Sequence, residues 1–211
     1  MRRALGKPHP RLVGVDDGAF ARGDRFAPVA AVVVSAPDRV EAVRLSRVRV
    51  DGTDGTGRVV RLVRSLRPDG GIRAVLLDGP VLGGFNVLDL DAIRRAVGLP
   101  VVALTRRPPD AARIRAALVR WFPRSARARL ALLRQHRLLR VPTSGLPIWA
   151  AASGCTQADA VRLVHRATVR GFWPEPLRLA HLVASAARPP GGRSDRTIKG
   201  RRGRRPAGPV A

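Results

Sequence analysis

The chain is expected to fold as an α/β protein: an antiparallel three-strand meander running into parallel strands, all in one mixed sheet flanked by helices. Three observations carry that expectation. Residues 11–52 hold three β-branched runs broken by turn residues, the middle alternates short apolar runs with helix-period segments, and most of the second half has helical periodicity.

RLVGVDDG, from Arg11, is a short β-branched run ended by acids and a glycine, and RFAPVAAVVVSAPD stops in a Pro-Asp turn. In RVEAVRLSRVRVDG, Val40, Ala42, Leu45, Val48 and Val50 alternate imperfectly, as a third strand. Three neighbouring antiparallel strands fit these signals.

GRVVRLVRSLRP sets Val59, Leu62, Val63 and Leu66 at helical spacing with arginines opposite, and Pro68 stops it. IRAVLLDG is apolar almost throughout, as in a central strand covered on both faces. NVLDLDAIRRAVG reads as a helix capped by Asn86 with Asp89 and Asp91 as first-turn acids, and LPVVALT as another buried strand. Strand, helix, strand implies a parallel pair with a right-handed crossover.

Next come two helices, PDAARIRAALVRWF and SARARLALLRQH, then a hairpin in RLLRVPTSGLPIWAA, then helices in TQADAVRLVHRATVR and PEPLRLAHLVASAA. The expected organisation is an N-terminal tail at 1–10, one domain at 11–187 and a disordered basic tail at 188–211, rich in Pro, Gly and Arg without periodicity. A meander followed by parallel strands with crossover helices is also the order of a ribonuclease-H-like fold.

Length and charge bound the function. At 211 residues the chain suits one domain with tails. Forty Lys and Arg against fifteen Asp and Glu give a formal charge of +25, which favours a polyanionic partner, DNA or RNA. Only Lys7 and Lys199 are lysines, and such an arginine skew also arises from a GC-rich genome. From Arg188 the tail carries eight cations and one anion, so +18 remains on the rest. The single cysteine, Cys155, excludes a disulfide framework and a Cys-only zinc site. No apolar stretch suits a signal peptide or a membrane span, and a monomeric cytoplasmic protein is expected.

Eleven of the fifteen acids fall in the first 91 residues. Asp16 ends the first strand, Asp54 follows the third, and Asp78 ends the fourth. If those strands are neighbours, their carboxylates converge, raise one another's pKa, and invite a divalent cation to relieve the repulsion. Mg²⁺, or Mn²⁺, takes oxygen ligands from one or two carboxylates with water and phosphate, the chemistry of phosphodiester cleavage. Asp-Gly is also a turn signature, so Asp51, Asp54 and Asp78 each have a turn reading, and Asp17 a reading as a solvated neighbour. Asp78 resists it, because a carboxylate ending a central strand is expensive to bury unless paired or metal-bound. GPVLGGFN matches neither the dinucleotide nor the Walker pattern, and Gly83 and Gly84 are expected to let substrate backbone approach. His165 and His181 lie in helical patterns and read as packed or solvated, and Ser153 and Cys155 lack a readable base.

In order, GVDDGAF, VDGTDGT, LLDGPVLGGFNVLDL, LPVVAL and PEPLRLAH resemble the archaeal endonuclease-V-like family, which is similar to endonuclease V, over about Arg11 to Ala187. The resemblance implies a ribonuclease-H-like fold, an Mg²⁺-dependent endonuclease, metal-ligand roles for Asp16 and Asp78, and Asp54 in place of the nuclease's glutamate. The sequence departs from the nuclease at three points. Thr105, Arg106 and Arg107 stand where a lysine follows the strand, with Arg106 and Arg107 available to phosphate. Gly154-Cys155 replaces a Gly-His pair, and with no Tyr in the chain the wedge beside the damaged base has no counterpart. Glu175 and Arg178 are expected to pin the last helix, with phosphate contact by Arg178 as the alternative. The competing reading is a nucleic-acid-binding module on a catalytically degenerate nuclease fold.

Overall fold

The computed structural model describes residues 10–187 except 22, 36 and 67–70. Both expected tails, apart from residue 10, and the stop at Pro68 lie outside the described residues. The meander forms as expected: β1 (Arg11–Asp17) pairs antiparallel with β2 (Phe26–Ser35), which pairs antiparallel with β3 (Arg39–Arg49). Helix α1 (Gly55–Ser65) then leads to β4 (Ile72–Asp78), which lies parallel to β1 with Val15 opposite Leu77.

A two-residue ladder, β5 (Val81–Leu82) with β6 (Asn86–Val87), follows, then α2 (Leu90–Val97) and β7 (Val101–Thr105), parallel to β4. The helix expected from Asn86 therefore starts later. Asp89, not Asn86, caps it, accepting from Ala92 N at 2.8 Å, because Asn86 is drawn into the ladder and buried. Helices α3 (Ala111–Trp121) and α4 (Ala126–Arg134) precede the hairpin β8 (Leu139–Val141) and β9 (Ile148–Ser153). The hairpin extends the main sheet, β9 running antiparallel to β7, to give seven strands in the order β3-β2-β1-β4-β7-β9-β8. Helices α5 (Gln157–Ala167) and α6 (Glu175–Ala186) complete the chain.

Period-two alternation sorts each central strand between two cores. Val13, Val15, Val75 and Leu77 face α1 and α2, packing on Val59, Leu62, Val63 and Ile93. Leu12, Ala74, Leu76 and Leu104 face the other layer, with Leu163 and Val164 of α5 and Leu177 of α6. Near-complete burial of both faces explains the unbroken apolar runs of β1 and β4. No helix among the described residues is long and apolar enough to cross a membrane.

Candidate active site

Two glycines set the position of the last helix. A Cβ on Gly14 would collide with the carbonyl of Pro176, and one on Gly18 with that of Ala184, so α6 lies with its backbone directly against β1. Asp16 stands between these glycines on the same strand face. It meets His181, whose Nδ1 is 2.9 Å from Asp16 Oδ2. One residue on in the register of β1 and β4, Asp78 occupies the adjacent strand end with the same facing as Leu76.

The carboxyls of Asp16, Asp17 and Asp78 act on one another electrostatically. Asp16 is buried, 4% exposed. Burial first, then the charges of Asp78 and Asp17, push it up from 3.8 to about 9. Burial likewise raises Asp78, against the opposing pull of Arg106 and His181. Asp17 is raised by burial although its Oδ2 accepts from Gly83 N at 2.9 Å. It is no solvated neighbour.

Asp54 does not join them. Its Oδ1 accepts from Arg49 N at 3.1 Å and Asn86 Nδ2 at 2.8 Å, its Oδ2 lies 3.4 Å from Arg58 Nε, and these bonds hold its pKa below the usual carboxylate value despite burial. Among the described residues, no three His, Cys, Asp or Glu side chains stand together as a metal-holding group. Of the three expected acids, Asp16 and Asp78 stand on adjacent strand ends, while the Asp54 carboxylate is engaged at the start of α1. Asn86 accepts there too, from Gly55 N at 2.9 Å.

The glycine turn is tightly packed against the rest of the protein. Gly83 and Gly84 have φ of 54° and 84°, and the space a Cβ would fill is taken by Val48 and by the Asp51 carboxylate. Gly84 also lines a cavity beside Asp78. Arg106 reaches Asp78 at 3.4 Å and lies 3.9 Å over the Trp173 ring, while Arg107 is exposed. Arg178 is held by Glu175 through two bonds, of 2.8 and 2.5 Å, an ion pair within the first turns of α6. Gly154-Cys155 follows Ser153, which pairs with Val101 at the opposite end of β7 from the Leu104 that pairs with Asp78. Burial pushes the Cys155 thiol up to about 11. Ser153 donates to Asp91 at 2.5 Å, which occupies its hydroxyl.

His181 is the residue that reading the pattern as packed or solvated misses. Its signal is position: four residues after Leu177 and one after Ala180, it borders the buried stripe of α6. Arg129 is a second. It is 7% exposed and donates to the Asp51 carbonyl at 2.8 Å and to the Phe85 carbonyl. Asp51 N in turn donates to Gly83 O, and Phe85 N to Asp51 Oδ1, both at 2.8 Å. A chain of hydrogen bonds thus runs from Asp17 through the turn to α4. Between α3–α4 and the sheet lies a cavity of about 710 Å³ walled by Phe85, Leu88, Leu130 and Leu133, with Asp78 and Arg106 in its lining. The Thr105 hydroxyl, in the same wall, is buried without a hydrogen-bond partner.

Comparison with known proteins agrees with this architecture. A UPF0215 protein of Methanothermobacter thermautotrophicus is 34% identical over 180 residues, 85% of this chain and 88% of the relative. A crystal structure of an Archaeoglobus fulgidus protein of unknown function matches with TM-score 0.76 and 30% identity, over 84% of this chain and 97% of that one. Human endonuclease V matches with TM-score 0.58 at 18% identity over 87% of both chains. Endonuclease V of Ciona intestinalis, in complex with DNA containing an inosine followed by a ribo-adenosine, matches with TM-score 0.54 at 15% identity over 82% of this chain and 83% of that one. These last two establish a shared, ribonuclease-H-like fold. Residues 8–188 match the Endonuclease dU family, and the chain belongs to that family.

Proposed function

We propose that this protein is a divalent-metal-dependent endonuclease acting on DNA or RNA phosphodiesters. One observation carries the reading: Asp16 and Asp78, on adjacent parallel strand ends, are both driven toward protonation by burial, and in Asp16 also by the neighbouring carboxylates. Apolar packing gains nothing from such a pair, whereas a cation would repay it.

The donor set fits Mg²⁺ or Mn²⁺: hard oxygen ligands, two carboxylates, and the remaining positions for water and substrate phosphate. When bound, such an ion supplies Lewis-acid polarisation of a phosphoryl oxygen and acidification of a water molecule. Asp16 and Asp78 would hold it. His181 orients Asp16 through its 2.9 Å hydrogen bond, a supporting role for a metal-binding carboxylate. Arg106, stacked on Trp173, presents a fixed guanidinium beside Asp78 to a phosphate. The 710 Å³ cavity is of nucleoside scale, and its apolar wall suits a base.

The test is cleavage of end-labelled single-stranded and duplex DNA and RNA, with and without inosine or uracil, in Mg²⁺ or Mn²⁺ against chelator. Metal-dependent products from the wild type, absent with Asp78→Ala, are expected. No cleavage of any of these substrates would overturn the reading in favour of a binding module.

A further inference from the structure

Between Arg106 and Arg140 the chain carries eleven arginines and one acid, Asp110. Most of this segment is the α3–α4 hairpin, which is thinly packed: Leu118 is the only buried residue of α3. Trp121 is 59% exposed and Val119 53%. The Arg120 guanidinium lies 4.8 Å over the Trp121 ring, so an indole open to solvent sits beside a cation. Arg115, Arg124 and Arg127 of the same hairpin are also exposed.

The hairpin is nonetheless anchored. Phe122 packs on Phe85 at 5.6 Å between ring centres, and Arg129 lies 4.4 Å over Phe122 while holding the carbonyls of Asp51 and Phe85. The exposed cations therefore stand in a fixed relation to the turn that bonds Asp17.

We propose that the α3–α4 hairpin is a docking arm for single-stranded nucleic acid, with Trp121 stacking on an unpaired base and Arg115, Arg120, Arg124 and Arg127 taking phosphates. Charge complementarity selects a polyanion. The indole selects a single strand, because bases in a duplex already stack on one another and an unpaired base offers its face to an aromatic. The inference rests on the nuclease reading in one respect, that the strand so held leads to the carboxylates, and it names the form of that substrate.

The experiment measures binding of fluorescein-labelled 20-mer single-stranded DNA, single-stranded RNA and duplex DNA to the full chain in chelator across a salt series. Trp121→Ala is expected to weaken single-strand binding about tenfold, with Trp121→Phe restoring most of it. Replacing the four arginines by serine is expected to reduce the log–log salt slope by roughly 3, at about 0.7 per phosphate contact. Should that variant fail to fold, Arg115→Ser and Arg127→Ser singly are expected to lower the slope by about 0.7 each. Comparing the DNA and RNA strands identifies the sugar. Unchanged affinity and slope, or a loss of duplex binding equal to that of single strands, would overturn the inference. Binding uses no metal, so it is separable from cleavage. Hairpin variants that bind normally while the wild type cleaves remove the arm and leave the nuclease, whereas arm-dependent binding without cleavage on any substrate removes the nuclease and leaves the arm.

Discussion

His181 Nδ1 stands 2.9 Å from Asp16 Oδ2 across 165 residues of chain, and the same imidazole draws down the neighbouring Asp78. One side chain on the last helix thus addresses both carboxyls. His181→Ala is expected to fold, since the side chain is 55% exposed, and to lose about 10- to 100-fold in Mn²⁺ affinity measured by calorimetry. His181→Asn, whose amide can reach the Nδ1 position, should recover part of that loss. Equal affinity in all three proteins would remove the orienting role.

Metal-free stability should fall as pH rises. Asp16 has a folded pKa of about 9 against 3.8 for the free side chain, so the folded state keeps a proton that the unfolded chain releases. That stabilisation is complete below about pH 4 and is lost toward pH 9, at up to roughly 1.4 kcal/mol per pH unit. Asp78 and Asp17, also raised, tilt in the same direction. Urea denaturation in chelator should give this slope, and Asp16→Asn should flatten it. Mn²⁺ added at pH 8 should stabilise the wild type and not the variant.

Asp54→Ala should separate structure from chemistry. It strips acceptors from Arg49 N and from the buried Asn86 amide, at a cost of about 1–3 kcal/mol in denaturant unfolding. Once folded, the variant should cleave within a few-fold of the wild type, because its carboxylate is turned to the start of α1. A loss comparable to that of Asp78→Ala would return Asp54 to the metal site.

Gly14→Ala should act at a distance. The added methyl meets the Pro176 carbonyl, so α6 must lift from β1, at a cost of about 1–3 kcal/mol. His181 moves with the helix, and Mn²⁺ affinity should fall in parallel with melting temperature. Gly98→Ala is the contrast: its Cβ meets nothing, and only its αL conformation, φ 66°, is strained.

Much of this fold is legible in residue order because apolar periods are strong where strands are buried on both faces, as in Ile72–Asp78. Asp78 itself is legible for the same reason, since a carboxylate in an apolar strand violates the pattern around it. The partners are not. Nothing near Asp16 in sequence announces His181, and the glycines that seat α6 look like any others until the helix lies on them. Asp54 has a spacing after the third strand that suits a ligand, while the groups that hold its carboxylate, Asn86 and the Arg49 amide, are brought to it only by the closed turn. Arg129 is one arginine among many, and its burial against two carbonyls is purely tertiary. The β8–β9 hairpin is foreseeable as a hairpin, but its joining of β7 depends on an edge that exists only after β4 and β7 have paired.

The seating of α6 on β1 also orders events during synthesis. Asp16 and Asp78 leave the ribosome long before His181, and until the closing helix arrives the two acids have neither their imidazole nor the cover that raises their affinity for protons. A nascent chain that has not yet made α6 therefore carries Asp16 without its imidazole. The seating of α6 is what completes the proposed metal site, and a fragment lacking that helix is expected to bind Mn²⁺ more weakly than the full chain.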